Sequence, residues 1–167
     1  ISELIRLGFN DLCDLFKVLI DTGMRRGEAL SISEEDVDVD QGLLILSDPE
    51  KIKTSTTRSI PMTRRVKAIL SRRIKAEDFL VFPYTSYQID GQSRKFKRNF
   101  RGEVDLEGVA FFHTCRHTFI SRLIQRSVPL TVVKELAGHR NIMTTMRYAH
   151  LAPSNYTDAI SVIDSHD

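Results

Sequence analysis

Apolar residues recur at helical spacing in several separate segments of the chain. Residues 10–20 are the clearest case, because Leu12, Leu15, Phe16 and Leu19 fall on one face of a helix. Gly23 follows this segment and suits the C-cap of a helix that stops there. The same spacing predicts further helices over 63–75, with Thr63 as its N-cap, and over 94–101, 116–125, 129–136, 141 or 144 to 149, and 154–163.

Strands are predicted in the stretch that follows the first helix. The turn signal Gln41-Gly42 is flanked by apolar residues suited to strands, namely Val37, Val39, Leu43 and Ile45. A third strand is predicted over 58–60, before Pro61, and a short one over 79–82. The sum is an α+β domain that is mostly helical and holds one small antiparallel β-sheet.

Length and composition restrict the class of protein. A chain of 167 residues forms one domain, 1–167, and its 41% hydrophobic and 28% charged residues are typical of a globular protein. No apolar run reaches the length of a membrane span and no secretory signal is evident, so we expect an intracellular location. Cys13 and Cys115 cannot form a disulfide framework, which fits a reducing compartment.

Charge is distributed unevenly along the chain, although the formal net charge is only +2. Residues 1–50 carry 4 Lys and Arg against 12 Asp and Glu, residues 51–101 carry 14 against 3, and residues 102–167 carry 6 against 7. The basic middle section predicts a surface that meets phosphates. A solvated helix face is the alternative.

Two arginines suit the chemistry of a phosphodiester, whose cleavage by a protein nucleophile needs fixed cations, an acid and an activated nucleophile. Arginine donates two hydrogen bonds to phosphate and stays charged. Arg25 follows a predicted helix end, and Arg116 lies three residues after His113, so that His113 and Arg116 can face one site from one helical turn. Taken alone, the spacing of Arg25 and Glu28 also fits a surface ion pair, with Glu28 as a brace.

Two patterns superficially suggest metal sites. His113 and His117 are four apart, but a metalloprotease helix needs Glu where Thr114 stands. The acidic run over 34–40 resembles a calcium loop, but its glycine falls one position late and Ser47 replaces the bidentate Glu. The sequence therefore predicts no metal and no cofactor.

A histidine and a tyrosine lie close together in the last third of the chain. Tyrosine, with an ordinary pKa of roughly 10, attacks poorly at neutral pH unless cations and a base favour the phenolate. Tyr148 lies nine residues beyond His139, which follows the helix-ending Gly138. A lone His after Gly also fits a capping or surface position.

Taken together, these motifs resemble the catalytic domain of tyrosine recombinases, the phage-integrase family, over roughly residues 10–150. The resemblance implies that fold, and site-specific cleavage and rejoining of DNA through a 3′-phosphotyrosyl intermediate on Tyr148, without metal or ATP. By the family's pattern the catalytic residues are Arg25, Lys53, His113, Arg116, His139 and Tyr148. Lys53 is the expected general acid on a β-hairpin, and Lys51 is its rival.

The resemblance also implies partners and a place of action. It predicts double-stranded DNA, a tetramer assembled on two duplexes, accessory DNA-bending proteins and the cytoplasm of a prokaryotic host. The family's N-terminal DNA-binding domain is expected to be absent from this chain, and the tail over 151–167 to pack on a neighbouring protomer or on its own domain. The alternative functions are a type IB topoisomerase-like strand transferase and a non-catalytic DNA-binding module.

Overall fold

The structure, a computed structural model, describes residues 1–46, 57–74, 79–100 and 109–153, and single residues at 106, 160, 161 and 163. Its helices are α1 Ser2–Arg6, α2 Asn10–Thr22, α3 Arg26–Leu30, α4 Arg64–Ile74, α5 Ser86–Asn99, α6 Phe111–Ile124, α7 Leu130–Ala137 and α8 Ile142–Met146. Its strands are β1 Val37–Asp38, β2 Leu43–Leu46 and β3 Arg58–Pro61. Within the described ranges, no helix is both long and apolar enough to span a membrane.

The strands form one antiparallel sheet in the order β1-β2-β3, which confirms the predicted fold class. Leu44 of β2 pairs with Val37 on one side and with Ile60 on the other, and all three side chains are buried. The strand predicted over 79–82 is reduced to a single bridge between Ser33 and Leu80. Pro83 follows directly and has no N–H to extend such a ladder.

The larger of two hydrophobic cores is built on α2, with further buried residues from α4, α5 and the sheet, and α2 ends as predicted. Gly23 takes the left-handed conformation, with φ of 65°, and its N–H donates to Leu19 O. A Cβ on Gly23 would lie 2.2 Å from the Phe119 ring of α6. The glycine therefore ends α2 and also allows α6 to pack closely against that end.

Several helix boundaries differ from the sequence predictions. Helix α5 begins at Ser86, eight residues before the predicted start, because Thr85 caps it: Thr85 Oγ1 accepts from Gln88 N at 3.2 Å and Gln88 Oε1 accepts from Thr85 N at 2.8 Å. Helix α6 begins at Phe111 rather than 116. Pro129 caps α7 from outside, and Asn141, the earlier of the two predicted starts, caps α8.

Helix α4 is the part of the basic middle section that packs on the acidic start of the chain. Arg65 pairs with Asp21 of α2, and Arg72 and Arg73 pair with Asp14. These α4 arginines are thus neutralised within the protein. On α5, by contrast, Arg94 and Lys95 are exposed and form no ion pair within the described ranges.

A smaller core packs the C-terminal half of α6 on α7. Its buried members are Phe119, Ile120, Ile124, Val133 and Ala137, and Tyr148 packs against them. This cluster fixes the turn after α8 beside α6. The predicted tail helix over 154–163 and the hairpin lysines Lys51 and Lys53 lie outside the described residues, except that residues 160, 161 and 163 are helical and exposed.

Candidate active site

Arg116 lies at the junction of α6 and the C-terminus of α2. Its side chain is buried, and Nη1 donates to Gly23 O at 2.7 Å. That carbonyl belongs to a helix C-terminus, where cations are favoured. Burial, together with the charges of Arg25 and Arg58, lowers the pKa of Arg116 to about 10, so it remains a cation at neutral pH. Its other guanidinium donors have no partner in the described part of the chain.

Arg25 caps α3 and connects it to the end of α7. Its backbone N–H donates to Glu28 Oε2 at 2.6 Å, and Nη1 donates to Glu28 Oε1 at 3.1 Å. The local ion pair suggested by the spacing is therefore present. In addition, Nη2 lies 3.4 Å from Gly138 O, directly beside His139.

Arg58 joins this group from β3, and the motif analysis missed it. Its Nη1 and Nη2 donate to the two oxygens of Glu28 at 3.0 and 2.9 Å. Although burial raises the pKa of Glu28, the hydrogen bonds from Arg58 and from the Arg25 backbone outweigh it, so that pKa is lowered. Glu28 is thus an ionised carboxylate that braces two arginines.

Gly138 makes the close approach of these groups possible. It is left-handed, with φ of 67°, and a Cβ there would lie 1.9 Å from Arg58 Nη1. A side chain at 138 would therefore displace the Arg58 guanidinium as well as strain the turn. Gly138 therefore allows the Arg58 guanidinium of β3 to lie against the end of α7.

His139 is held in one orientation by α8. Its Nδ1 lies 2.8 Å from Thr145 Oγ1, and both side chains are buried. Burial, then the charges of Arg116 and Arg25, lowers the pKa of His139 to about 4, so its imidazole is neutral. The Thr145 hydroxyl has no other acceptor among the described side chains, so we assign it as the donor to His139 Nδ1. The neutral ring then carries its own proton on Nε2, which can donate a hydrogen bond to a ligand oxygen.

The candidate nucleophile contacts a histidine that the motif analysis left without a function. Tyr148 Oη is hydrogen-bonded to His117 Nδ1, and the two rings lie 5.4 Å apart. His117 in turn meets His113 edge to face, with ring centroids 4.3 Å apart. Burial raises the pKa of Tyr148, and the opposing charges of Arg116 and Arg147 do not reverse this shift. The phenol is therefore protonated in the free protein.

The described residues bring five of the six predicted side chains into one region. Arg25 reaches Gly138 beside His139, and Arg116 acts electrostatically on both His139 and Tyr148. His113 is joined through His117. Lys53 and its rival Lys51 lie outside the described residues.

The acidic run over 34–40 forms local turns. Asp36 Oδ2 accepts from Ser33 N at 2.8 Å, and Asp38 Oδ1 accepts from Gln41 N at 2.8 Å. In the described part of the chain, no three His, Cys, Asp or Glu side chains are grouped so that they could hold a metal ion.

Comparison with known proteins found a matching family and similar sequences. A model described as the phage integrase family matches residues 4–155. The integrase of Salmonella phage P22 is 28% identical over 158 residues, which cover 87% of this chain and 41% of that protein. The tyrosine recombinase XerA of Saccharolobus solfataricus is 30% identical over 141 residues, which cover 82% of this chain and 45% of that protein. The chain thus spans less than half the length of these two relatives.

Solved structures share the fold. The integrase of transposon Tn1549, in complex with circular intermediate DNA, superimposes with a TM-score of 0.72 at 24% identity, covering 92% of this chain and 59% of that one. The catalytic domain of bacteriophage HP1 integrase gives a TM-score of 0.67 at 23% identity, with coverage of 89% and 79%.

Proposed function

Because the chain belongs to the phage integrase family, we propose that it is the catalytic domain of a site-specific DNA recombinase or integrase. One observation carries the proposal: Tyr148 is hydrogen-bonded to His117, the residue that follows the buried Arg116 on α6. Arg25 bonds to Gly138 O, next to His139. A tyrosine oxygen and fixed cations are two of the parts that phosphoryl transfer to a protein requires, and the neutral His139 adds a hydrogen-bond donor.

In the proposed reaction, Tyr148 Oη attacks the scissile phosphorus and forms a 3′-phosphotyrosyl bond as the bond to the 5′ oxygen breaks. Arg116 and Arg25 bind the non-bridging oxygens, with His113 facing the same site, and His139 Nε2–H donates a further hydrogen bond. Lys53 protonates the leaving 5′ oxygen. A 5′-hydroxyl can then attack the phosphotyrosyl ester and rejoin the strand, without ATP or metal.

The charge of the site supports a phosphate ligand. Arg25 and Arg58 bond to the Glu28 carboxylate, and the charge of Arg116 also acts on this group, so that among the described residues three guanidinium groups share one carboxylate. This excess of positive charge, added to burial, lowers the pKa values of Arg116 and His139. A phosphate in the site would relieve the repulsion, and the more negative phosphorane of the transition state would relieve it further.

A covalent complex is the decisive test. The protein is incubated with a nicked duplex that carries a recombination site and releases the 5′ fragment after cleavage, in the presence of EDTA. We expect a denaturation-resistant protein–DNA adduct whose phosphodiester is attached to Tyr148, as mapped by peptide mass spectrometry. DNA binding without an adduct would instead favour the non-catalytic module, and relaxation of supercoiled DNA without exchange between two sites would favour the topoisomerase.

The general acid can be identified by changing the leaving group. Lys53 lies five residues before Arg58, which Glu28 ties to the site, so the chain between them spans at most about 18 Å. Lys53→Ala should slow cleavage roughly 10²- to 10⁴-fold on ordinary DNA and recover on a substrate with a bridging 5′ sulfur, which needs little protonation. If Lys51→Ala were instead slow on ordinary DNA and recovered on the sulfur substrate, while Lys53→Ala cleaved both like wild type, Lys51 would be the general acid.

DNA affinity should depend on the unpaired charges of α5. Replacing Arg94 and Lys95 with Gln should flatten the slope of log K against log salt by about 0.9 for each phosphate contact that is lost. The matched control replaces Arg65 and Arg72 of α4, which are paired with Asp21 and Asp14, and should change the slope less. A larger change in the control would place the DNA on the α4 face.

The family resemblance further suggests four protomers on two duplexes, tail exchange between them and accessory DNA-bending proteins. Exposed apolar side chains are consistent with exchange: Val132, Met143 and Met146 on α7 and α8, and Ile160 and Ile163 in the tail. The mass of complexes on paired DNA sites, with and without residues 154–167, tests this assembly. Equal masses with loss of domain stability would show that the tail packs on its own domain.

A further inference from the structure

We infer that His117 is the general base of the proposed reaction: it takes the proton of Tyr148 during cleavage and returns it during rejoining. The inference rests on the proposed function and adds a catalytic residue to it. The observation behind it is the hydrogen bond between His117 Nδ1 and Tyr148 Oη, the oxygen that attacks phosphorus in the proposed reaction.

The contact joins two well-anchored segments. His117 follows the buried Arg116 on α6, a helix fixed by Phe119 and Ile120 in the smaller core. Tyr148 is held after α8, where its N–H donates to Thr145 O at 3.0 Å and its ring packs on the same core. Both partners are thus positioned by backbone and packing, independently of the bond between them.

The other bases of the site are engaged elsewhere. Glu28 accepts hydrogen bonds from Arg25 and Arg58, and His139 Nδ1 is bonded to Thr145. His113 contacts the His117 ring rather than the Tyr148 oxygen. Within the described ranges, His117 is therefore the base whose ring nitrogen is hydrogen-bonded to the Tyr148 oxygen.

The surroundings of His117 keep it able to accept a proton. Charged and titratable groups reach it from α6, from the end of α8 and from the end of α7: His113, Arg116, Arg147, Tyr148 and His139. Burial, then His113, Arg147 and Arg116, lowers the pKa of His117, so the ring is neutral at neutral pH. A neutral ring that accepts at Nδ1 carries its own proton on Nε2.

The step balances in both directions. In cleavage, the Tyr148 O–H bond breaks, its proton moves to His117 Nδ1, and the Tyr148 oxygen bonds to phosphorus as the 5′ oxygen leaves with a proton from the general acid. The imidazolium that forms lies near the negative phosphorane, which stabilises it. In rejoining, the 5′-hydroxyl attacks, its proton returns to the general acid, and the departing Tyr148 oxygen recovers its proton from His117.

His117→Asn tests the inference, because Asn Oδ1 can replace Nδ1 as a hydrogen-bond acceptor but cannot take the proton. The measurement is the single-turnover rate of adduct formation on the nicked substrate as a function of pH. We expect a loss of roughly 10²- to 10⁴-fold at neutral pH. Without a base, the variant depends on the Tyr148 phenolate, so its rate should rise about tenfold per pH unit up to the tyrosine pKa. The wild-type rate should be constant over the same pH range. Added imidazole should partly rescue His117→Gly.

His150→Asn is the matched control, since His150 is an exposed histidine two residues beyond Tyr148, and its profile should equal that of wild type. A His117→Asn variant with the wild-type rate would overturn the inference. So would a His117→Asn variant slowed equally at every pH together with a His117→Gly variant that imidazole does not rescue. In either case the wild-type adduct would leave the proposed function standing. Absence of any wild-type adduct would reject the proposed function itself.

Discussion

Tyr148→Phe is expected to bind recombination-site DNA with wild-type affinity and to form no covalent complex, a loss of more than about 10⁴-fold in cleavage. The change removes only the hydroxyl that bonds to His117, and the ring that packs on the α6–α7 core is retained. The melting temperature should therefore stay close to that of wild type. Adduct formation on a nicked substrate and DNA binding by fluorescence anisotropy are the two measurements.

Tyr87→Phe is the matched control. Its side chain is exposed on α5, away from the smaller core, and loses the same single oxygen. It should form the adduct at the wild-type rate. A persistent adduct in Tyr148→Phe would show that another residue is the nucleophile, and equal loss in both variants would show that the loss does not come from removing the Tyr148 hydroxyl.

Much of the fold is predictable because periodicity and caps are local signals. Helix α2 and its end at Gly23 follow directly from the apolar spacing. The five-residue helices α1 and α3 are too short to show a period, and Asp90 and Gly91 conceal the first half of α5. The Thr85-x-x-Gln88 capping box is the signal that would have placed its start.

The site was predictable only where a motif carries the chemistry. Arg116 and Tyr148 lie at spacings that a motif describes. Arg58, by contrast, is tied to the site by its bonds to Glu28, 30 residues away, and His117 by its bond to Tyr148, 31 residues away. No local pattern announces such contacts, because the fold creates them. For the same reason the count of basic residues in the middle section overstates the charge that is free to bind phosphates, because the arginines of α4 are paired with aspartates of α2 once the two helices pack.

Arg116→Met is the second variant with a large expected effect, and it should separate activity from stability. In the proposed reaction the buried guanidinium binds a phosphate oxygen, so its loss should lower the cleavage rate at least about 10²- to 10³-fold. Arg122→Met, an exposed position on the same helix, should cleave like wild type. A cleavage rate within a few-fold of wild type would remove Arg116 from the site.

The same substitution should raise the free energy of unfolding. Burial and neighbouring arginines lower the pKa of Arg116 from 12.5 to about 10, which corresponds to a cost of about 3 kcal/mol at about 1.36 kcal/mol per unit. Because the folded-state pKa is the lower one, this cost is fully present below about pH 10, where both states are charged. The bond to Gly23 O offsets about 1 kcal/mol of it. Met fills a similar volume without charge, so denaturation should show that the free energy of unfolding rises by about 2 kcal/mol at neutral pH.

Inorganic phosphate should stabilise wild type by binding the cationic site and should stabilise Arg116→Met less. Destabilisation of Arg116→Met, with Arg122→Met unchanged, would mean that Arg116 supports the fold as well as the chemistry.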